Sequence, residues 1–181
     1  MKQITPYLMF KRDAEAAAEF YVSVFPNSRI IKKTYWSEFE IDDMKKKGFP
    51  EDQLPGAAGS VKTVSIEING QRFEACNGGS PFEFSMGVSF FTNCETQEEI
   101  DNYTEAFLRD GGEQFDCGWV KDRFGLFWQI APAFMVDVMN GPDSELAARV
   151  SVALFQMKKI DIAKLKAAAE LTPKEAESTA A

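Results

Sequence analysis

At 181 residues, with 45% hydrophobic side chains and 16 Phe, the chain can bury a core without staples and is too apolar to be disordered. A formal net charge of -8, with no basic run beyond Lys45-Lys46-Lys47, argues against nucleic acid as a partner, since phosphate neutralisation needs concentrated Lys and Arg. The absence of histidine removes Ser-His-Asp and Cys-His catalysis, histidine zinc sites and histidine proton shuttles together, so acid–base work falls to Glu, Asp, Lys, Tyr or Cys.

Ile4–Phe10 reads as a strand, and the apolar run in MKQITPYLMFKRD is too short for a signal peptide. Asp13 is a reasonable N-cap for a helix whose apolar positions are Ala16, Phe20 and Val24 together with Ala17 and Tyr21. Pro26-Asn27-Ser28 stops it, and Arg29–Trp36 reads as a second strand. Ser37–Ser60, rich in charge, Gly and Pro, breaks the pattern as a long loop with room for a short helix at Ile41–Lys47. Loops of this length cover a site or are solvated insertions. Val61–Ile68 alternates as a strand and ends at Asn69-Gly70, a two-residue hairpin signal, from which Gln71–Cys76 returns.

Asn77–Pro81 is a turn-rich connector, after which the order restarts. Phe84–Asn93 reads as a strand. Thr96 to Glu99 fits a capping box for a helix with Ile100, Tyr103 or Thr104, Phe107 and Leu108 on its apolar face. Glu113–Val120 and Leu126–Ile130 are later strands, joined by a Gly125-containing turn. Gln129, polar within an apolar run, is either the outward residue of a half-buried strand or a side chain turned into a ligand cavity. Phe124–Met139 is interrupted by Gln129, Pro132 and Asp137, against a membrane span; cytoplasmic residence is the expectation. Asp143 and Asp161 are candidate caps for two tail helices, and Thr172–Ala181 reads as a fraying end. Cys76, Cys94 and Cys117, odd in number and irregularly spaced, imply neither a disulfide framework nor a zinc motif.

Two halves therefore share an order of strand, helix and further strands closing in a hairpin. Gly87 stands 80 positions after Tyr7, and Glu74 and Gln129 each follow a turn glycine by four. The expectation is an α+β fold of two βαβββ repeats, 1–79 and 80–135, forming curled mixed sheets around a cavity, with a helical extension at 136–172 and a frayed tail at 173–181. The aromatic pool for such a cavity is Phe73, Phe84, Phe90, Trp119, Phe127 and Trp128.

The stretches ITPYLMFKRDAEAAAEFYVSVFPNS, NGQRFEACNGGSPFEFSMGVSFF, CGWVKDRFGLFWQIAP and MKKIDIAKLKAA resemble the PhnB-like branch, often labelled 3-demethylubiquinone-9 3-methyltransferase, of the vicinal-oxygen-chelate superfamily (glyoxalase I, bleomycin-resistance proteins, extradiol dioxygenases). The resemblance implies a cavity, often with a divalent metal held by two side chains from each half, and frequent homodimers. Its metal pattern falls on Tyr7, Glu74, Gly87 and Gln129. Only Glu74 and Gln129 are good oxygen ligands, so no resident metal or other cofactor is expected, a divalent metal being the alternative. The chain lacks G-x-G-x-x-G and its alternating βα context, so the residues themselves give the methyltransferase label no support. The first reading is a small-molecule binding protein, with Tyr7, Glu74, Trp119, Trp128 and Gln129 as ligand-binding candidates. The second is a lyase, isomerase or dioxygenase-type enzyme with Glu74 as catalytic base, a lone carboxylate whose pKa an apolar cavity would raise. A third is a structural or regulatory partner acting through the tail helices or the acidic surface.

Overall fold

The alternating residues of Val61–Ile68 (β3) turn back through Asn69 (φ 45°) and Gly70 (φ 84°) into Gln71–Asn77 (β4), a turn in which both central residues take positive φ. In the computed structural model, which describes residues 4–170, that hairpin is the centre of the first of two compact units, Met1–Glu83 and Phe84–Ala181.

The first unit also contains Tyr7–Phe10 (β1), Ala14–Val24 (α1), Arg29–Tyr35 (β2) and Glu38–Lys46 (α2). Its sheet has the order β1-β4-β3-β2, with β1 parallel to β4 and the other pairs antiparallel. One face, with Leu8, Val64, Ile66, Phe73 and Ala75 all nearly solvent-free, packs under α1. The second unit repeats the plan with Phe90–Cys94 (β5), Gln97–Leu108 (α3), Glu113–Gln114 (β6), Trp119–Lys121 (β7) and Phe127–Pro132 (β8), in the order β5-β8-β7-β6 with β5 parallel to β8. Phe134–Asn140 (α4), Ser144–Phe155 (α5) and Ile162–Glu170 (α6) follow. The βαβββ order occurs twice, as the sequence pattern predicts.

Several boundaries differ, each for a physical reason. β1 starts at Tyr7, and Ile4 is exposed. α1 buries Ala14, Ala17, Ala18 and Tyr21 rather than Ala16, Phe20 and Val24, because three alanines let the helix lie close to the sheet. Asp13 occupies the cap position without a side-chain cap bond. The Ala14 N–H donates instead to Asn77 Oδ1 at 2.8 Å, and Asn77 Nδ2 donates to the Val61 carbonyl at 2.9 Å, so the helix start is held from the far end of β4. The expected strand from Phe84 begins only at Phe90; Gly87 lies in a turn closed by Val88 N–H donating to Ser85 O.

Ser37–Ser60 is folded rather than a plain loop. The Ser37 hydroxyl accepts from Glu40 N–H while the Glu40 carboxylate accepts from Ser37 N–H, a capping box that starts α2 three residues before the expected Ile41. Ile41 and Leu54 are buried, and Arg12 donates to the carbonyls of Leu54 and Glu51, tying the excursion down around a cavity of about 600 Å³. Asp143 caps α5 through Leu146 N–H, and Asp161 accepts from Lys164 N–H at the start of α6, as read from sequence. Thr96 accepts from Glu99 N–H, but the Glu99 carboxylate takes Glu95 N–H instead of completing the box. The tail expectation at 173–181 lies outside the described residues.

Candidate functional site

Residues paired across a sheet point to the same face, so the pairing registers place each candidate. In the first unit Tyr7, Glu74 and Ser65 stand in one row, on the face turned away from α1. Arg72, two residues before Glu74 on the same strand, shares that face. Glu74 Oε1 accepts from Arg72 Nε at 3.0 Å and Nη2 at 2.8 Å, and Oε2 accepts from the Ser65 hydroxyl at 2.6 Å. Glu74 is therefore an ion-paired carboxylate with both oxygens engaged, not the lone carboxylate in apolar surroundings that a general base would need. The Tyr7 side chain is half exposed. Partial burial, the Cys76 thiol beside it and the Glu74 charge push its hydroxyl up to about 12, so near neutral pH it is a neutral phenol that donates or accepts but is not a phenolate.

In the second unit the row is Phe91, Gln129 and Trp119, on the face away from α3. Gln129 Nε2 donates to the Ser89 hydroxyl at 2.8 Å, which fixes the amide. Trp119 also lines a cavity of about 420 Å³ with Phe115, Gln114, Met86, Lys158 and the Asp116–Cys117 turn.

Trp128 belongs elsewhere. It lies on the α3 side of β8, 3% exposed, stacked on Phe107 at 4.7 Å between ring centroids, with Nε1 donating to Asp122 Oδ2 at 2.9 Å. Strand alternation explains the separation, since neighbours in a strand face opposite ways. Phe73 is core as well. Gly87 is not the counterpart of Tyr7: as Tyr7 pairs with Glu74, Phe91 pairs with Gln129, so the equivalent position carries a phenyl ring.

The four positions that the superfamily resemblance assigns to a divalent metal thus present a neutral phenol, a carboxylate bound to a guanidinium, a phenyl ring in the place expected of Gly87, and an amide held by a serine. Among the described residues no three or more acidic or cysteine side chains gather as a metal-holding group. The donor set does not fit a hard cation, which needs oxygen ligands without a neighbouring positive charge.

Sequence reasoning missed Arg72, Ser65 and Asp122. The first two were accessible: the two-residue turn at Asn69-Gly70 sets Ser65 opposite Glu74, and the period of two puts Arg72 beside it. Asp122 carried no local signal beyond its place in a turn. Its Oδ1 accepts from Phe124 N–H at 2.8 Å and Leu126 N–H at 3.1 Å, shaping the turn that delivers Gln129 to its face.

A family model described as 3-demethylubiquinone-9 3-methyltransferase matches residues 2–131, both βαβββ halves. The chain belongs to that family. A solved structure described as a putative 3-demethylubiquinone-9 3-methyltransferase, PhnB protein, from Bacillus cereus is 28% identical over 71% of this chain and 97% of that one, with a TM-score of 0.57. Protein PA1353 from Pseudomonas aeruginosa is 18% identical over 71% of this chain and 95% of that one, at a TM-score of 0.51, a likeness of fold alone. No curated protein matches the chain. The PhnB-like resemblance read from the four stretches holds, and with it the α+β fold of two mixed four-stranded sheets. The family match ends at β8, so α4 to α6 are additions to the matched region. Among the described residues no helix is long and apolar enough to cross a membrane.

Proposed function

We propose that this member of the 3-demethylubiquinone-9 3-methyltransferase family binds a small organic molecule on the sheet face of its second unit opposite α3, without a resident metal. The supporting observation is the row Phe91–Gln129–Trp119: one oriented amide between two aromatic side chains, beside a cavity of about 420 Å³. Sites for small organic ligands pair apolar lining with a few directed polar groups and span roughly 300–1,000 Å³. Ser89 engages Nε2 of Gln129, and among the described residues no donor is directed at Oε1, which is left to accept from a ligand hydroxyl or amine. Lys158 and Asp116 both line the cavity, so it presents one charge of each sign to a ligand.

The enzyme reading, with Glu74 as base, is the weaker one, because Arg72 and Ser65 occupy that carboxylate. Methyl transfer is what the family description names, and nothing in the geometry adds support to it. A homodimer belongs with the binding reading: α4 and α5 leave Val136, Met139, Val152 and Phe155 exposed, apolar area that a second copy would cover.

A thermal-shift screen of aromatic acids and alcohols tests this. Compounds raising the melting temperature equally with and without a chelator, and losing most of their effect in Trp119→Ala and Gln129→Ala, are the expected result. A broad library producing no shift, or shifts that require added divalent metal, would overturn it.

A further inference from the structure

The first unit's sheet face opposite α1 carries a different feature. Glu74 is the best anionic metal ligand at the positions the superfamily resemblance assigns, yet its carboxylate already faces a cation from its own strand. The Arg72 guanidinium places two N–H groups on Oε1, and the Ser65 hydroxyl fills Oε2. Arg72 Nη2 also reaches Ser65 Oγ at 3.4 Å, so the three groups close a ring of hydrogen bonds. The Glu74 side chain is 20% exposed and that of Arg72 is 51% exposed. The pair is half sheltered at its acidic end and open at its basic end.

We propose that Arg72 is the resident cation of this face, holding Glu74 in the role that a divalent metal would otherwise fill and excluding such metals from it. A metal approaching Oε1 would meet two N–H groups of like charge, and one approaching Oε2 would have to displace the Ser65 hydroxyl. Tyr7, next in the row, offers a neutral phenol that does not compensate. The charge comes from the chain itself, so the site keeps it in the presence of chelators and has no need of metal loading. The arrangement is local: two strands joined by a two-residue turn, with the cation two residues from the anion. It stands whether or not an organic ligand is found on the second unit.

The test uses the full chain and Mn2+ alone as probe, with bound ion followed by the loss of the free-Mn2+ paramagnetic resonance signal. The wild-type protein is expected to bind no more Mn2+ than Glu74→Gln. Arg72→Met, which removes the charge at a half-exposed position, is expected to bind it about tenfold more tightly than wild type, and the gain should vanish in Arg72→Met/Glu74→Gln. Arg72→Lys, which keeps the charge, should behave as wild type. If circular dichroism shows Arg72→Met to be misfolded, Arg72→Gln makes the same comparison. One equivalent of Mn2+ bound by wild type and lost in Glu74→Gln would overturn the proposal, and so would charge-removed variants that bind no more Mn2+ than wild type.

Discussion

Asp122 is 2% exposed, and its two oxygens take three donors: Phe124 N–H, Leu126 N–H and Trp128 Nε1. Removing the acceptor strands those donors in or near the core, at about 1–3 kcal/mol for each one left fully unsatisfied. Asp122→Ala should therefore lower unfolding free energy by about 3 kcal/mol in a denaturant titration and red-shift tryptophan emission as Trp128 loosens. A loss below about 1 kcal/mol would mean that the turn is held by other contacts. The same arithmetic weighs the Arg72–Glu74 pair. A doubly charged ion about 5 Å from a guanidinium is repelled by about 2 kcal/mol at the dielectric of water, the regime of an arginine half exposed to solvent. That is on the order of tenfold in affinity. The Cys117 thiol, pushed up by burial and by the Asp116 charge, gains no nucleophilic character from its surroundings.

At the scale of elements, α2 shows how a charged segment becomes structure. Glu40 closes the capping box with Ser37 and accepts from Lys62 Nζ on β3, and Lys62 lies over the Trp36 ring at 4.6 Å. The Lys62 hydrogen bond, then those from Ser37, draw the Glu40 carboxyl down from 4.5 to about 2. A depressed carboxylate contributes stability that is present above its unfolded pKa and lost as pH falls through the folded one. Glu40→Gln should thus melt below wild type at neutral pH, with the difference shrinking from about pH 4.5 down to about pH 2. A difference that is constant across that range would show the ion pair to be idle. The helices were legible in proportion to how local their determinants are. Asp143 and Asp161 are signals within one turn and were read as caps; Ser37-x-x-Glu40 is just as local, yet the helix was expected only from Ile41. The α1 cap, by contrast, comes from Asn77, 63 residues away, and no window along the chain contains it.

For the whole molecule, the doubled βαβββ order was readable because strand period, turn chemistry and the Asn69-Gly70 hairpin all agreed. The strand placement of the candidate residues was half readable. Tyr7, Glu74, Trp119 and Gln129 do stand on the sheet faces opposite α1 and α3, whereas Trp128 is turned into the core and Gly87 lies off the strand. Both differences arise from strand register, which a hydrophobic run of mixed aromatics does not reveal. The tail is built into the second unit: Cys117 and Gly118 N–H donate to the carbonyls of Met157 and Lys158 at 2.7 Å each, and Ile160 is 1% exposed. Gln97 holds both ends of that connection, donating to Ile160 O and accepting from Ile162 N–H. On the first unit the positive charge facing Glu74 is supplied by Arg72. The most direct measurement is an anomalous-scattering map from crystals of the full chain grown without chelators and soaked in Mn2+. It should show Arg72 on Glu74 and no manganese at that carboxylate; a peak at coordination distance from Glu74, on the order of 2 Å, with Arg72 swung away, would contradict it.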